Sequence, residues 1–282
     1  TDETLRRWVA VLVAQLRQNR EMTNLAKYAT QLYPALEAET GVATGYVTTG
    51  ALGVCQTEDR RREWLRGSAM ASAFGIEMYE ISLKEAEDMV PGMSTQGLVA
   101  VFYLPNDGQT NPLETTRSLI KGARMRGARV FEDTTVTAVK VKKGSVCGVA
   151  TEHGEIGCEI VINCAGIWGR EVGKMADVSV PLYAAEHMHA VTQPIKGLKK
   201  IFPCVRDFDG RTYFKAENGA ILFGGFEALA KPWGMKGIPK DFKFTELSED
   251  WEQFSPFMEC GLQRFPKTAA RADGAAVDFD LH

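Results

Sequence analysis

The stretch from Val161 to Pro194 constrains the fold more than any other part of the sequence. It opens on an apolar run, Val161-Ile162-Asn163-Cys164, that reads as a buried strand, and it turns at Ala165-Gly166 into a short helical run, Ile167 to Met175. A strand that ends in Ala-Gly and feeds a helix is how α/β folds bring backbone N–H groups up to a phosphate or a cofactor. Pro181 then starts a second strand-like run carrying His187 and His189. Strand side chains alternate with period two, so these histidines are expected on one face. The segment thus offers a cofactor contact followed by a polar site.

Upstream, residues 2–39 read as one helix on the spacing of Leu16, Met22, Leu25, Tyr28, Leu32 and Leu36, bent at Pro34 and closed by Gly41. Gly45 to Gln56 reads as one or two strands around Gly50. Thr57 is placed to cap a charged helix whose Arg60, Arg61 and Arg62 form a solvated face. Ser82-Leu83-Lys84-Glu85 has the spacing of a capping box. Gly97 to Leu104 is expected as a buried strand, and Pro105-Asn106-Asp107-Gly108 as a turn. Asn111-Pro112-Leu113-Glu114 places a cap and an N1 proline before a helix running to Gly127.

From there the pattern changes. Strands are expected at 129–131, 135–142, 146–151, 156–163, 203–207, 211–215 and 220–226, with tight turns at Lys143-Gly144, His153-Gly154, Asp209-Gly210 and Asn218-Gly219. Residues 247–264 read as an amphipathic helix with Trp251, Phe254, Phe257 and Met258 on its apolar side and Pro256 bending or splitting it. The tail, 269–282, carries no strong pattern, and the chain is expected to be a mature or truncated form. Helices and parallel-type strands followed by antiparallel hairpins predict a mixed α/β chain. They imply a cofactor domain interrupted by an antiparallel substrate sheet.

The 282 residues carry a net charge of −3, which points away from nucleic acid and from anionic membrane surfaces. No apolar run is long enough to span a membrane, and the start lacks the pattern of a signal peptide. The six cysteines (Cys55, Cys147, Cys158, Cys164, Cys204 and Cys260) form no CxxC pair, so neither a zinc site nor a disulfide framework is expected. Cys164 is expected to be packed. His187 and His189 are a weak metal signal, since no cysteine or carboxylate is spaced to join them. Trp168 and Trp233 are expected as packing residues, and Arg206 as a partner of Asp207 or Asp209, or of a substrate carboxylate.

Several stretches resemble the sarcosine and dimethylglycine dehydrogenase branch of the FAD-dependent amine oxidoreductases. They are LEAETGVATGYVTTGALGVCQTEDR from Leu36, YLPNDGQTNP from Tyr103, VINCAGIWGREVGKMADVSVPL from Val161 and DGRTYFKAENGAILFGGFE from Asp209. The similarity runs over residues 12 to 268. The same stretches resemble the regulatory subunit of pyruvate dehydrogenase phosphatase, a non-enzymatic homologue. Glu186-His187 and GGFEALAKP lean towards that regulator, while Asp107-Gly108 and Asn111-Pro112 lean towards the enzymes.

The resemblance implies an incomplete FAD-binding Rossmann-like domain with an antiparallel substrate sheet, over residues 1–268. Within it, 97–175 falls mainly to the FAD part, and 45–96 with 176–264 mainly to the substrate part. It also implies oxidative demethylation of an N-methyl amino acid, with electron-transfer flavoprotein or folate as further partners and a mitochondrial matrix location. The regulatory alternative implies a phosphatase catalytic subunit as partner. Carried over by position, Val136 would hold the FAD adenine through its backbone, and Ala165 and Gly166 would form the turn near the cofactor. His187 would face the substrate beside the flavin, and Tyr213 would touch both flavin and substrate. Two departures stand out. The dinucleotide fingerprint GxGxxG is absent, and the place of the family's flavin-attaching histidine reads Trp8-Val9-Ala10-Val11. Covalent attachment of FAD is therefore not expected.

Overall fold

In a computed structural model, residues 12–243, 246–268 and 279–281 are described. They fall into two units. One is built from residues up to Gly127, from Met188–Glu227 and from Leu247 onward; the other from Ala128–His187 and Ala228–Glu246.

In the first unit the chain opens with β1 (Leu12–Val13) and α1 (Arg20–Thr40). The predicted first helix is thus shorter than its periodicity, because the Asn19 side chain accepts the Met22 N–H at 2.9 Å and sets the start. Residues 2–11 of that expectation lie outside the described residues. Pro34 sits inside α1 without ending it, and Gly41, with φ of 69°, closes it. Next come β2 (Val47–Thr48), β3 (Ala51–Cys55), α2 (Glu58–Ala73), β4 (Tyr79–Ile81), α3 (Leu83–Met89), β5 (Ala100–Leu104), β6 (Gly108–Gln109) and α4 (Pro112–Met125). Thr57, Ser82 and Asn111 cap their helices as the sequence leads one to expect, and the Ser82–Glu85 box is closed in both directions.

The second unit begins with an antiparallel sheet of β7 (Val136–Lys142), β8 (Ser145–Thr151) and β9 (Gly154–Gly157). The first turn is the two-residue type that Lys-Gly permits: Lys143 and Gly144 both have positive φ, 50° and 79°. No strand forms at 129–131. The run Val161–Cys164 is also not a strand: Ile160 and Ile162 are 77% and 81% exposed, and Cys164 is exposed rather than packed. An apolar run becomes a buried strand only beside a ladder partner, and among the described residues no strand pairs with it. A 3-10 turn at Gly166–Trp168 leads into α5 (Gly169–Lys174), then β10 (Ala184–Ala185).

Back in the first unit are β11 (His189–Thr192), β12 (Cys204–Asp207), β13 (Thr212–Glu217) and β14 (Ala220–Gly225). The predicted two-histidine strand is therefore two short strands, with His187 in the gap between them. β15 (Pro232–Trp233) pairs with β10 in the second unit, where Trp233 packs on Phe242 at 4.5 Å between ring centroids. Last come α6 (Trp251–Arg264), capped by Asp250, and β16 (Phe279–Leu281). Pro256 neither splits nor ends α6. The described tail residues 279–281 form β16, which pairs with β11.

An eight-stranded sheet organises the first unit, in the order β16-β11-β14-β13-β12-β3-β5-β4. All its pairings are antiparallel except β12 on β3. One face carries Leu52, Val54, Val101, Val205, Phe214, Phe223 and Ala190 against Phe254 and Phe257 of α6 and Phe265. Apart from Ala190, each such side chain contributes about 1.5–3 kcal/mol when fully buried. On the other face, α2 covers only the β3–β5 end, where Trp64 stacks on Phe102 at 5.7 Å. That leaves the rest of this second face for other chemistry. Among the described residues no helix is long and apolar enough to cross a membrane, and no cluster suited to a metal ion occurs.

Candidate active site

The part of the second sheet face that α2 does not cover holds a row of residues in register. Arg206 on β12 lies opposite Tyr213 on β13, Tyr213 opposite Gly224 on β14, and Gly224 opposite His189 on β11. Directly paired residues share a face, so Arg206, Tyr213 and His189 project from the same side. Tyr213 is only 9% exposed; its ring packs on Phe226 at 5.4 Å, and Phe226 itself remains exposed. Burial first, and the negative charge of Glu227 second, push the Tyr213 phenol up to about 12. Near neutral pH it is a protonated hydroxyl, able to donate as well as accept.

The expected partner of Arg206 was Asp207 or Asp209, but its partner is Asp107, 99 residues away, at 2.9 Å. Asp207 points to the opposite face and pairs with Arg264 at 3.3 Å, while Asp209 takes Arg60 at 2.9 Å. Successive strand residues face opposite ways, so Asp207 cannot reach its own neighbour's side of the sheet. Asp107 is 1% exposed and accepts a second hydrogen bond from the backbone N–H of Gln15 at 2.9 Å. Burial pushes the Asp107 carboxyl up; Arg206 chiefly, then the Gln15 N–H and Arg17, oppose that. Arg17 also belongs to this group. Desolvation and then the like charge of Arg206 lower its pKa, with Asp107 opposing. The Asp107 carboxylate thus feels both guanidinium charges and is contacted directly by Arg206. Arg17 does not stand out in the sequence, and Asp107 enters it only through the Asp107-Gly108 turn that resembles the enzymes.

Two residues beyond Tyr213 on the same face, Lys215 pairs with Glu217 at 2.9 Å. Both line a cleft of about 200 Å³ with Thr49, Thr110 and Asn111.

The other sequence-derived candidates lie in the second unit. Val136 starts β7 and is half-buried. Ala165 precedes the 3-10 turn, and its N–H is held by the Asn163 side chain at 3.2 Å; the same Asn163 donates to the Gly169 carbonyl at 2.8 Å. Gly166 has φ of 53°, and a Cβ there would meet nothing within 4 Å, so the turn presents open backbone. That is the form a backbone contact with a flat or anionic group requires. His187 is exposed, following Glu186, whose N–H donates to the Lys231 carbonyl at 2.9 Å. Of the residues carried over by family resemblance, only Tyr213 belongs to the row on the large sheet. Gly224 and Gly225, the most glycine-rich point of that sheet, are covered by Tyr213 and Phe257 and offer no cradle for a phosphate.

Comparison with known proteins places this arrangement. A family model described as FAD dependent oxidoreductase matches residues 5–278. Among curated proteins, mouse sarcosine dehydrogenase is 35% identical over 263 residues, covering 91% of this chain and 28% of the relative. The mouse pyruvate dehydrogenase phosphatase regulatory subunit is 34% identical over 263 residues, with 92% and 30% covered. The 4-methylaminobutanoate oxidase of Paenarthrobacter nicotinovorans is 34% identical over 247 residues, with 88% and 30% covered. The chain therefore spans about 30% of the length of these relatives. Among solved structures, L-proline dehydrogenase from P. horikoshii superposes with a TM-score of 0.80 at 22% identity, covering 98% of this chain and 70% of that one. Glycine oxidase from Bacillus cereus gives 0.71 at 21% identity, with 99% and 71% covered. The mixed α/β fold, the polar sheet face and the family match over nearly the whole chain agree, and the chain belongs to the FAD-dependent oxidoreductase family, close in sequence to its sarcosine and dimethylglycine dehydrogenases.

Proposed function

We propose that this protein oxidises the CH–NH group of an N-methyl amino acid of the sarcosine or dimethylglycine type, using FAD. The observation that carries the reading is Arg206, held by the buried Asp107 and paired in register with the buried Tyr213 on the same sheet face. An amino-acid substrate brings a carboxylate, and a guanidinium beside a phenol donor suits one. The chemistry FAD supplies when bound is acceptance of a hydride equivalent from the carbon attached to nitrogen. Tyr213 orients the substrate through its protonated hydroxyl, and the exposed ring of Phe226 excludes water beside it. His187 takes or steers the amine proton. Val136 holds the adenine end of the cofactor through its backbone, and Ala165 with the open turn at Gly166 lines the flavin. Residues 97–175 serve mainly the cofactor, and 45–96 with 176–264 the substrate.

The mitochondrial names of the mammalian relatives support a mitochondrial location; a matrix location, with electron-transfer flavoprotein or folate as further partners, belongs to the same proposal. The regulatory reading, with a phosphatase catalytic subunit as partner, rests on 34% identity, against 35% for sarcosine dehydrogenase, and on the Glu186-His187 and GGFEALAKP stretches; the Arg206–Tyr213 row on the sheet does not call for it.

The test is the absorption spectrum of the purified protein and its turnover of sarcosine and dimethylglycine. A flavin spectrum bleached by one of these amines is expected, and the flavin should leave on acid precipitation. Colourless protein that binds the phosphatase catalytic subunit would replace the enzyme reading with the regulatory one. His187→Ala should depress turnover while the flavin stays bound; unchanged turnover would remove His187 from the reaction.

A further inference from the structure

We infer that Gly224 is a positioning residue for Tyr213: the bare backbone of β14 is the seat on which the phenol ring rests, and a side chain there would lift the ring and its hydroxyl from the sheet. This rests on the assignment of Tyr213 to the substrate made above.

A Cβ built on Gly224 would lie 2.4 Å from Oη, 2.6 Å from Cζ and 2.9 Å from Cε1 of Tyr213. Non-bonded carbons pack at about 3.5–4.0 Å, so the overlap is of order 1 Å. All three nearest atoms belong to that one ring. The backbone of Gly224 does not have positive φ, so conformational freedom is not what the position requires; space is. Gly224 is flanked by Tyr213 on β13 and His189 on β11, so the ring lies across β14 with its hydroxyl carried towards β11. Phe226 packs against the same ring at 5.4 Å and restricts its retreat. Gly261 provides a contrast. Its Cβ would meet Phe223 at 2.9 Å, on the core face of the same strand and away from Tyr213.

The experiment uses the complete flavin-loaded protein with fluorotyrosine incorporated, the Tyr213 fluorine resonance being assigned by its loss in Tyr213→Phe. Gly224→Ala is expected to shift that resonance and raise its solvent isotope effect, whereas Gly261→Ala leaves both near their starting values. A Tyr213 resonance unmoved by Gly224→Ala would overturn the inference. If Gly224→Ala is too unstable to label, the thermal midpoint decides. Gly224→Ala should lower Tm when Tyr213 is present and leave it nearly unchanged in a Tyr213→Ala background; equal losses in both would overturn the inference. Turnover separates this from the reading beneath it. Gly224→Ala should fall to the level of Tyr213→Phe with the flavin retained. A displaced resonance with full turnover would uphold the seat and remove Tyr213 from the chemistry.

Discussion

Arg206 and Tyr213 face each other across neighbouring strands, yet the acid that anchors Arg206 comes from a turn 99 residues earlier in the chain. Asp107 is buried, so its charge is tolerable only because Arg206 and the Gln15 N–H hold it. Asp107→Asn keeps the shape and removes the charge, leaving Arg206 beside Arg17 with no counter-ion between them. The expected loss is about 3 kcal/mol in denaturant unfolding. Asp59→Asn, which breaks the exposed Arg62 pair, should cost under about 1 kcal/mol.

Tyr213 makes the chain's stability depend on alkaline pH. Its folded pKa is raised to about 12, against about 10 in an unfolded chain. Between these values the unfolded state loses the proton first, so stability falls as pH rises through this window. The full effect is about 2–3 kcal/mol. Tyr213→Phe should flatten that part of the stability profile while leaving it unchanged below pH about 9. Equal alkaline slopes in both proteins would contradict the burial of the hydroxyl.

On the opposite face, Asp207 and Arg264 are both at or below 1% exposure. Asp207 also accepts from Gln56 Nε2 at 2.9 Å and from Gly210 N at 2.8 Å, while Arg264 donates to the Ser94 carbonyl at 2.7 Å. The end of α6 is thereby tied both to the sheet and to the loop after α3. Arg264→Met fills the volume but strands a buried carboxylate, so a loss of about 3–5 kcal/mol is expected from urea midpoints.

Phe254 is fully buried and packs on Phe223 at 5.6 Å and Phe257 at 5.8 Å. Phe254→Ala should cost about 3–5 kcal/mol. Asn111→Ala, which removes the α4 cap, should cost about 1 kcal/mol, and Asn111→Asp should recover most of that by accepting the same Glu114 N–H.

What could be read in the sequence was local. The caps at Thr57, Ser82 and Asn111 and the turn at Lys143-Gly144 depend on a few neighbouring residues, and each is where the sequence places it. The misreadings involve partners distant along the chain. Val161–Cys164 has the composition of a buried strand, but burial is a property of what lies beside it. His187 and His189 have strand spacing, but the ladder of β11 begins only at His189. Pro256 suggested a break in α6, yet Phe254 and Phe257 hold the helix to the sheet on either side of it. Tyr213 reached the candidate list through family resemblance alone. Its setting, Arg206 with Asp107 and Arg17, joins three distant segments, and no short motif signals it.

The single parallel seam, β3 on β12, bears on how the chain assembles. On one side of it, β3, β4 and β5 come from residues 51–104; on the other, β11 to β14 come from 189–225. Each side can form from contacts close in sequence, but the seam pairs Ala51 with Cys204 and must close a loop of about 150 residues. Closure across so long a separation carries a high loop-closure cost and slows folding. Asp107 and Arg206 come from opposite sides of that seam. The charged pair at the candidate site therefore depends on closing that seam, and it cannot form before the chain has been synthesised as far as Arg206.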